Sequence, residues 1–76
     1  MSKVPRVTGA VAKRAFERAG FREDRMSGSH CIMKKEGHRY HLSIPMHKGK
    51  TVGTGLLKSQ IEAAGLTVDQ FIELGK

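Results

Sequence analysis

The apolar residues of this chain change their spacing twice, and that change limits the folds open to it. Up to Gly20 they recur with a helical period, through Val7, Val11, Ala15, Phe16 and Ala19. Lys13, Arg14, Glu17 and Arg18 fall on the other side. Thr8 stands where an N-cap belongs and Gly20 where a left-handed stop belongs, so a helix is expected over residues 8–19. Phe21, just beyond, can fold back onto the last turn.

From Phe21 to Ile44 the period drops to two. Three strands are expected, Phe21–Arg25, Ser29–Lys35 and Arg39–Ile44, turning at Met26-Ser27-Gly28 and at Glu36-Gly37. Tyr40, Leu42 and Ile44 alternate with Arg39, His41 and Ser43. With Leu42 and Ile44 on the core side, His41 and Ser43 should face solvent. Pro45 has no N–H for a ladder and should end the pairing.

Residues 47–55 are too polar and glycine-rich for either period and read as a loop. Helical spacing returns over Leu56–Ala64, with Leu57, Ile61 and Ala64 on one face and Gly65 as the stop. Thr67 and Gln70 have the spacing of a capping box, opening a short last helix with Val68, Phe71 and Ile72 inward. The order is α-β-β-β-α plus a terminal helical turn. That is an α+β fold, with helices on one face of a three-stranded antiparallel sheet and the other face solvated.

The 76 residues read as one domain, residues 1–76, with a thin core: three Phe, one Tyr and no Trp. A domain this small buries only about two-thirds of its unfolded surface. Deep cofactor clefts are therefore not expected, and any chemistry should sit on a face or in a shallow groove. Met33, Met46, Met26 and the Phe residues are assigned to packing, with Cys31 beside Met33. No apolar run reaches the ~18–20 residues of a membrane span, and residues 1–6 lack the apolar stretch of a signal peptide. The lone Cys31 fits a reducing cytoplasm, and nothing demands self-association, so a free monomer is expected.

Charge narrows the partner. Residues 1–60 carry 13 Lys and Arg against four acids, whereas residues 61–76 carry one lysine against three acids. Between Gly37 and Ile61 there is no acid at all, while Arg39, Lys48, Lys50 and Lys58 are all there. A formal charge of +7 and a one-sided basic surface are the footprint of a nucleic-acid partner. A basic surface with no polyanion partner is the plainer alternative.

Gly28-Ser29-His30 and Pro45-Met46-His47-Lys48-Gly49-Lys50 are the segments that can carry chemistry. RNA is cut without a metal when a base takes the 2′-OH proton and an acid protonates the leaving 5′ oxygen, with cations stabilising charge at phosphorus. Histidine suits both proton steps, its unperturbed pKa being about 6.5. Gly28 would let the backbone approach a phosphate, and the Ser29 hydroxyl could bond a phosphate oxygen. An ordinary surface histidine in a strand is the competing reading. In the second segment His47 joins Lys48 and Lys50, ahead of a glycine-led helix start that Lys58 adjoins; free N–H groups there favour phosphate. Arg25 and Lys34 are further candidates for the RNA backbone.

Two other sites fail on spacing. Gly49-Lys50-Thr51 mimics the tail of a P-loop, but the motif's first glycine would fall at Ile44. His30, Cys31, His38, His41 and His47 match no zinc-finger spacing, and alternation sends His30 and Cys31 to opposite faces. No metal or other cofactor is expected.

Taken in order, Gly20-Phe21, Arg25, Gly28-Ser29-His30, Ile44-Pro45-Met46-His47, Gly49-Lys50, Gly55 and Ala64-Gly65-Leu66 resemble the HicA-type toxins. These are the mRNA-cleaving halves of bacterial toxin–antitoxin pairs. The resemblance covers nearly the whole chain; Thr51–Thr54 departs from the family's usual linker. It implies a double-stranded-RNA-binding-domain-like fold and a metal-independent endoribonuclease, an mRNA interferase, whose catalytic histidine corresponds to His30. It also implies a HicB-type antitoxin that covers the site in a hetero-oligomer. His47 as a second acid/base group comes from its place in the cationic loop alone. The rival readings are a noncatalytic RNA-binding module of the same shape and an interaction domain for an acidic protein.

Overall fold

The computed structural model describes residues 2–76. Along the chain run α1 (Gly9–Arg18), β1 (Arg22–Ser27), β2 (His30–Lys34), β3 (Leu42–Pro45), α2 (Thr54–Ala63) and α3 (Val68–Leu74). The strands form one antiparallel sheet in the order β1-β2-β3. Fold class and element order agree with the reading from periodicity.

Helix α1 starts and stops where its sequence says. The Val11 N–H donates to the Thr8 hydroxyl oxygen at 3.3 Å. Gly20 adopts φ 102°, and the Phe21 N–H then donates to the Phe16 carbonyl at 3.0 Å. That return sets the Phe21 ring edge-on to Phe16, centroids 6.2 Å apart. The buried stripe is Ala12, Ala15 and Phe16; Val11, expected on it, is only half-buried. Small residues let α1 lie close to the sheet. At Gly9 a Cβ would collide with the Pro45 carbonyl oxygen, so the start of α1 is pressed against the end of β3.

The core lies between the helices and one face of β2 and β3. Cys31, Met33, Leu42 and Ile44 alternate onto that face and are fully buried, as are Phe16, Leu57 and Ile61. Phe71 of α3 closes the cluster with its ring 5.1 Å from Phe16. Each such side chain contributes about 1.5–3 kcal/mol through burial. The Thr67–Gln70 capping box forms as its spacing indicates. Helix α2 also guards the sheet: the Ser43 N–H on the outer edge of β3 donates to Gln60 Oε1 at 2.8 Å, which blocks pairing by another strand.

Strand β1 is exposed along its whole length. Its register passes from Glu23↔Met33 to Arg25↔Ile32, so Asp24 is the extra residue of a bulge. Lys13 and Glu23, 2.7 Å apart, tie α1 to this strand.

Several boundaries differ from the sequence reading, each for a physical reason. The first turn is Gly28-Ser29 rather than Met26-Ser27-Gly28, because Ser27 pairs with His30. Gly28 at φ 59° fits the first central position of a type II′ hairpin turn. Strand β3 begins at Leu42, which leaves Tyr40 54% exposed instead of on the core side, and Met26 is likewise 49% exposed. Pro45 is itself the last paired residue, opposite His30, since only its outward N–H is missing. Ser43, expected at the surface, is half-buried under Gln60. Helix α2 starts at Thr54, two residues before Leu56.

Candidate active site

His30 opens β2 and is exposed, whereas Cys31 is buried on the opposite face. Alternation along β2 places Ile32 and Lys34 on the His30 side. Arg22, Arg25 and Ser27 of β1 and Ser43 and Pro45 of β3 are their cross-strand neighbours. This is the open face of the sheet. The tight Gly28-Ser29 turn holds His30 at its rim. A Cβ at Gly28 would meet nothing within 4 Å, so the glycine serves the backbone angle and leaves the turn open to a ligand.

The second segment folds against the first. The Met46 N–H donates to the Ser29 carbonyl at 2.8 Å, carrying the chain past Pro45 and over the hairpin turn. His47 then stands beside Ser29, its Nε2 3.5 Å from the Ser29 hydroxyl, at the outer limit of hydrogen bonding. His47 to Lys50 is a turn closed by the Lys50 N–H on the His47 carbonyl at 3.0 Å. Gly49 at φ 76° occupies its third position, the pattern of a type II turn. The loop is anchored again where the Val52 N–H donates to the Val7 carbonyl at 2.8 Å. It is therefore built, not slack. His47, Lys48 and Gly49 border a groove of about 290 Å³ with Thr8, Ala10 and Met46.

The cations are not all alike. Lys48 and Lys50 are exposed on the turn. Lys58 lines a different groove, of about 580 Å³, with Lys3, Thr54 and Gly55 at the start of α2. Arg25 and Lys34, by contrast, share Asp24, at 2.6 and 3.4 Å. Arg25, hydrogen-bonded to Asp24, holds that carboxyl below the usual carboxylate range, and Lys34 reinforces the effect. Sequence alone does not reveal this neutralisation; the bulge at Asp24 turns the acid to the side of its neighbour. A third groove, apolar and of about 490 Å³, lies between the α1 end and α3, bordered by Asp69 and Glu73. Its acidic rim and its place away from the hairpin separate it from this chemistry.

Elsewhere the site is plain. Burial pushes the Cys31 thiol above its usual pKa, so it behaves as a packing residue. Among the described residues no three His, Cys, Asp or Glu side chains converge as metal ligands would. No helix among them is long and apolar enough to cross a membrane. What comes together is the His47 imidazole beside the Ser29 hydroxyl, with exposed His30 next along the chain and the exposed Lys48 and Lys50 on the adjoining turn.

A family model described as the HicA toxin of bacterial toxin–antitoxin systems matches residues 12–66. The chain belongs to the HicA toxin family. The match takes in the His30 hairpin, the His47–Lys50 turn and all of α2, the parts of the fold that carry the candidate site. HicA membership makes this protein the toxin side of a toxin–antitoxin pair, with an antitoxin as its counterpart. No curated protein matches the chain.

Proposed function

We propose that this HicA toxin is a metal-independent endoribonuclease that cuts mRNA in the cytoplasm with His30 as its general acid/base. The contact between the Gly28-Ser29-His30 turn and the Met46–Lys50 segment carries the reading, since it sets two imidazoles and two lysines about one exposed turn. One imidazole removes the proton from a ribose 2′-OH. The freed oxygen attacks the adjacent phosphorus, and the bond to the 5′ oxygen breaks. The second imidazole gives that oxygen its proton. Products are a 2′,3′-cyclic phosphate and a 5′-hydroxyl, and a positioned acid/base contributes about 10²–10⁴ in rate.

Gly28 and Ser29 offer the turn's backbone and hydroxyl to a phosphate. Lys48 and Lys50 hold the RNA backbone near the scissile bond, with Lys58, Arg25 and Lys34 further along it. Such contacts supply affinity without sequence information. A HicB-type antitoxin neutralises the toxin by covering this basic face in a hetero-oligomer.

The test is the chemistry of the ends. RNA incubated with the protein in EDTA should yield 2′,3′-cyclic phosphate and 5′-hydroxyl termini, and 2′-O-methyl RNA should stay intact. Cleavage of 2′-O-methyl RNA, or 5′-phosphate ends, would overturn the mechanism. Saturable binding with no cleavage would favour the noncatalytic RNA-binding module.

A further inference from the structure

At the end of the sheet remote from His30, the β2–β3 connection gathers rings and cations. Residues 35–41 read Lys-Glu-Gly-His-Arg-Tyr-His, with a single acid. His38 is the pivot. Its Nε2–H donates to the Ala63 carbonyl at the end of α2 at 2.7 Å, and its ring stands edge-on to buried Phe21, centroids 5.2 Å apart. Tyr40 leans on this fixed imidazole at 6.4 Å and 68°. The Arg39 guanidinium lies 5.7 Å from the Tyr40 ring centroid, and Lys35 stands 5.6 Å from that of Phe21.

The core does not use Tyr40. It is a large aromatic residue, 54% exposed, steadied from behind and bordered by positive charge. Cores of protein–protein interfaces are depleted in charge, whereas an exposed ring among cations is how single-stranded nucleic acid is held: a base stacks and a neighbouring cation takes its phosphate.

We infer that Tyr40 is a stacking platform for an unpaired RNA base, with Arg39 on the adjoining phosphate. The inference rests on the proposed function, in which the His30 hairpin holds RNA. From His30 to Lys34 strand β2 spans about 13 Å, and Tyr40 lies beyond that end, so an oligonucleotide must run several nucleotides to touch both the hairpin turn and the ring. A base-paired helix keeps its bases stacked on each other and offers the ring nothing.

Tyr40 is the chain's one tyrosine and there is no tryptophan, so intrinsic emission reports on this ring alone. The probe is a 2′-O-methyl oligouridylate of about eight nucleotides, within the size range of single-strand sites. It lacks the attacking hydroxyl, so binding is read without cleavage. Saturating probe should quench Tyr40 emission, and a blunt RNA duplex of equal length should not. Tyr40→Ala should weaken binding about 5- to 150-fold, the worth of one base–aromatic stack, while Tyr40→Phe keeps most of it. Saturable binding with unchanged emission, equal affinity in Tyr40→Ala, equal quenching by duplex, or no single-strand binding would each overturn the inference. Quenching without cleavage of ordinary RNA would leave Tyr40 its role and remove the nuclease; cleavage without quenching would do the reverse.

Discussion

The Ser29 hydroxyl lies 3.5 Å from His47 Nε2 across eighteen residues of sequence. That approach brings the two segments of the candidate site together. It exists because Pro45 ends the ladder opposite His30 and the Met46 N–H is left to bond the Ser29 carbonyl. The hairpin turn and the cationic turn are thus fixed to each other through backbone, and the imidazoles inherit their placement.

His47→Ala should slow RNA cleavage about 10²-fold or more and remove one limb of the pH–rate profile, as loss of one of two proton-transfer groups does. The rate is measured on a fixed RNA across pH 5 to 9. A wild-type rate with an unchanged profile would assign His47 no part in the chemistry.

Asp24→Asn should tighten RNA binding several-fold at low salt and steepen its salt dependence. Arg25 and Lys34 would then have no carboxylate between them and could each release a counterion from RNA. Binding isotherms at several salt concentrations read both quantities. An unchanged slope would place Arg25 and Lys34 off the RNA path.

The class and order of elements were legible because the sequence marks where elements start or stop: Gly20 ends α1, Pro45 ends β3, and the Thr67 box opens α3. The faces of β2 followed from alternation, so His30 and Cys31 were separable on paper. What stayed hidden was everything set by a turn or a bulge. Gly28 at φ 59° draws Ser29 out of its expected strand, and the bulge at Asp24 brings an acid between Arg25 and Lys34. Tyr40 misled because its period matched Leu42 and Ile44, but the ladder does not reach it. The contact of Ser29 with His47 leaves no local trace, since it depends on how the chain leaves β3.

Gly9→Ala should destabilise the fold by about 1–3 kcal/mol, because the new methyl must push α1 away from the Pro45 carbonyl. Gly55→Ala is the contrast: nothing lies within 4 Å of its Cβ, and alanine favours the helix by roughly 0.5–1 kcal/mol. Thermal unfolding should move in opposite directions for the two variants. Equal midpoints would mean the α1–β3 contact is not tight.

The Lys13–Glu23 pair gives stability a defined pH window. Its hydrogen bond holds the Glu23 carboxyl below its ordinary 4.5 and the Lys13 ammonium above its ordinary 10.5. The contribution is whole between those values. It is lost in acid as pH falls through the lowered Glu23 pKa, and in base as pH rises through the raised Lys13 pKa. Glu23→Gln should therefore unfold at a lower temperature than the wild type near pH 7, with the gap closing as pH falls through the lowered Glu23 pKa. A gap that ignores pH would mean the pair contributes nothing through charge.

The central claim is that His30 moves a proton during RNA cleavage. The most direct measurement is the cleavage rate of wild type and His30→Ala on the same RNA in EDTA, with circular dichroism confirming that both are folded. His30 is exposed and outside the core, so the variant should fold as the wild type does. The account predicts a fall of about 10²–10⁴-fold. Equal rates in the two proteins would contradict it.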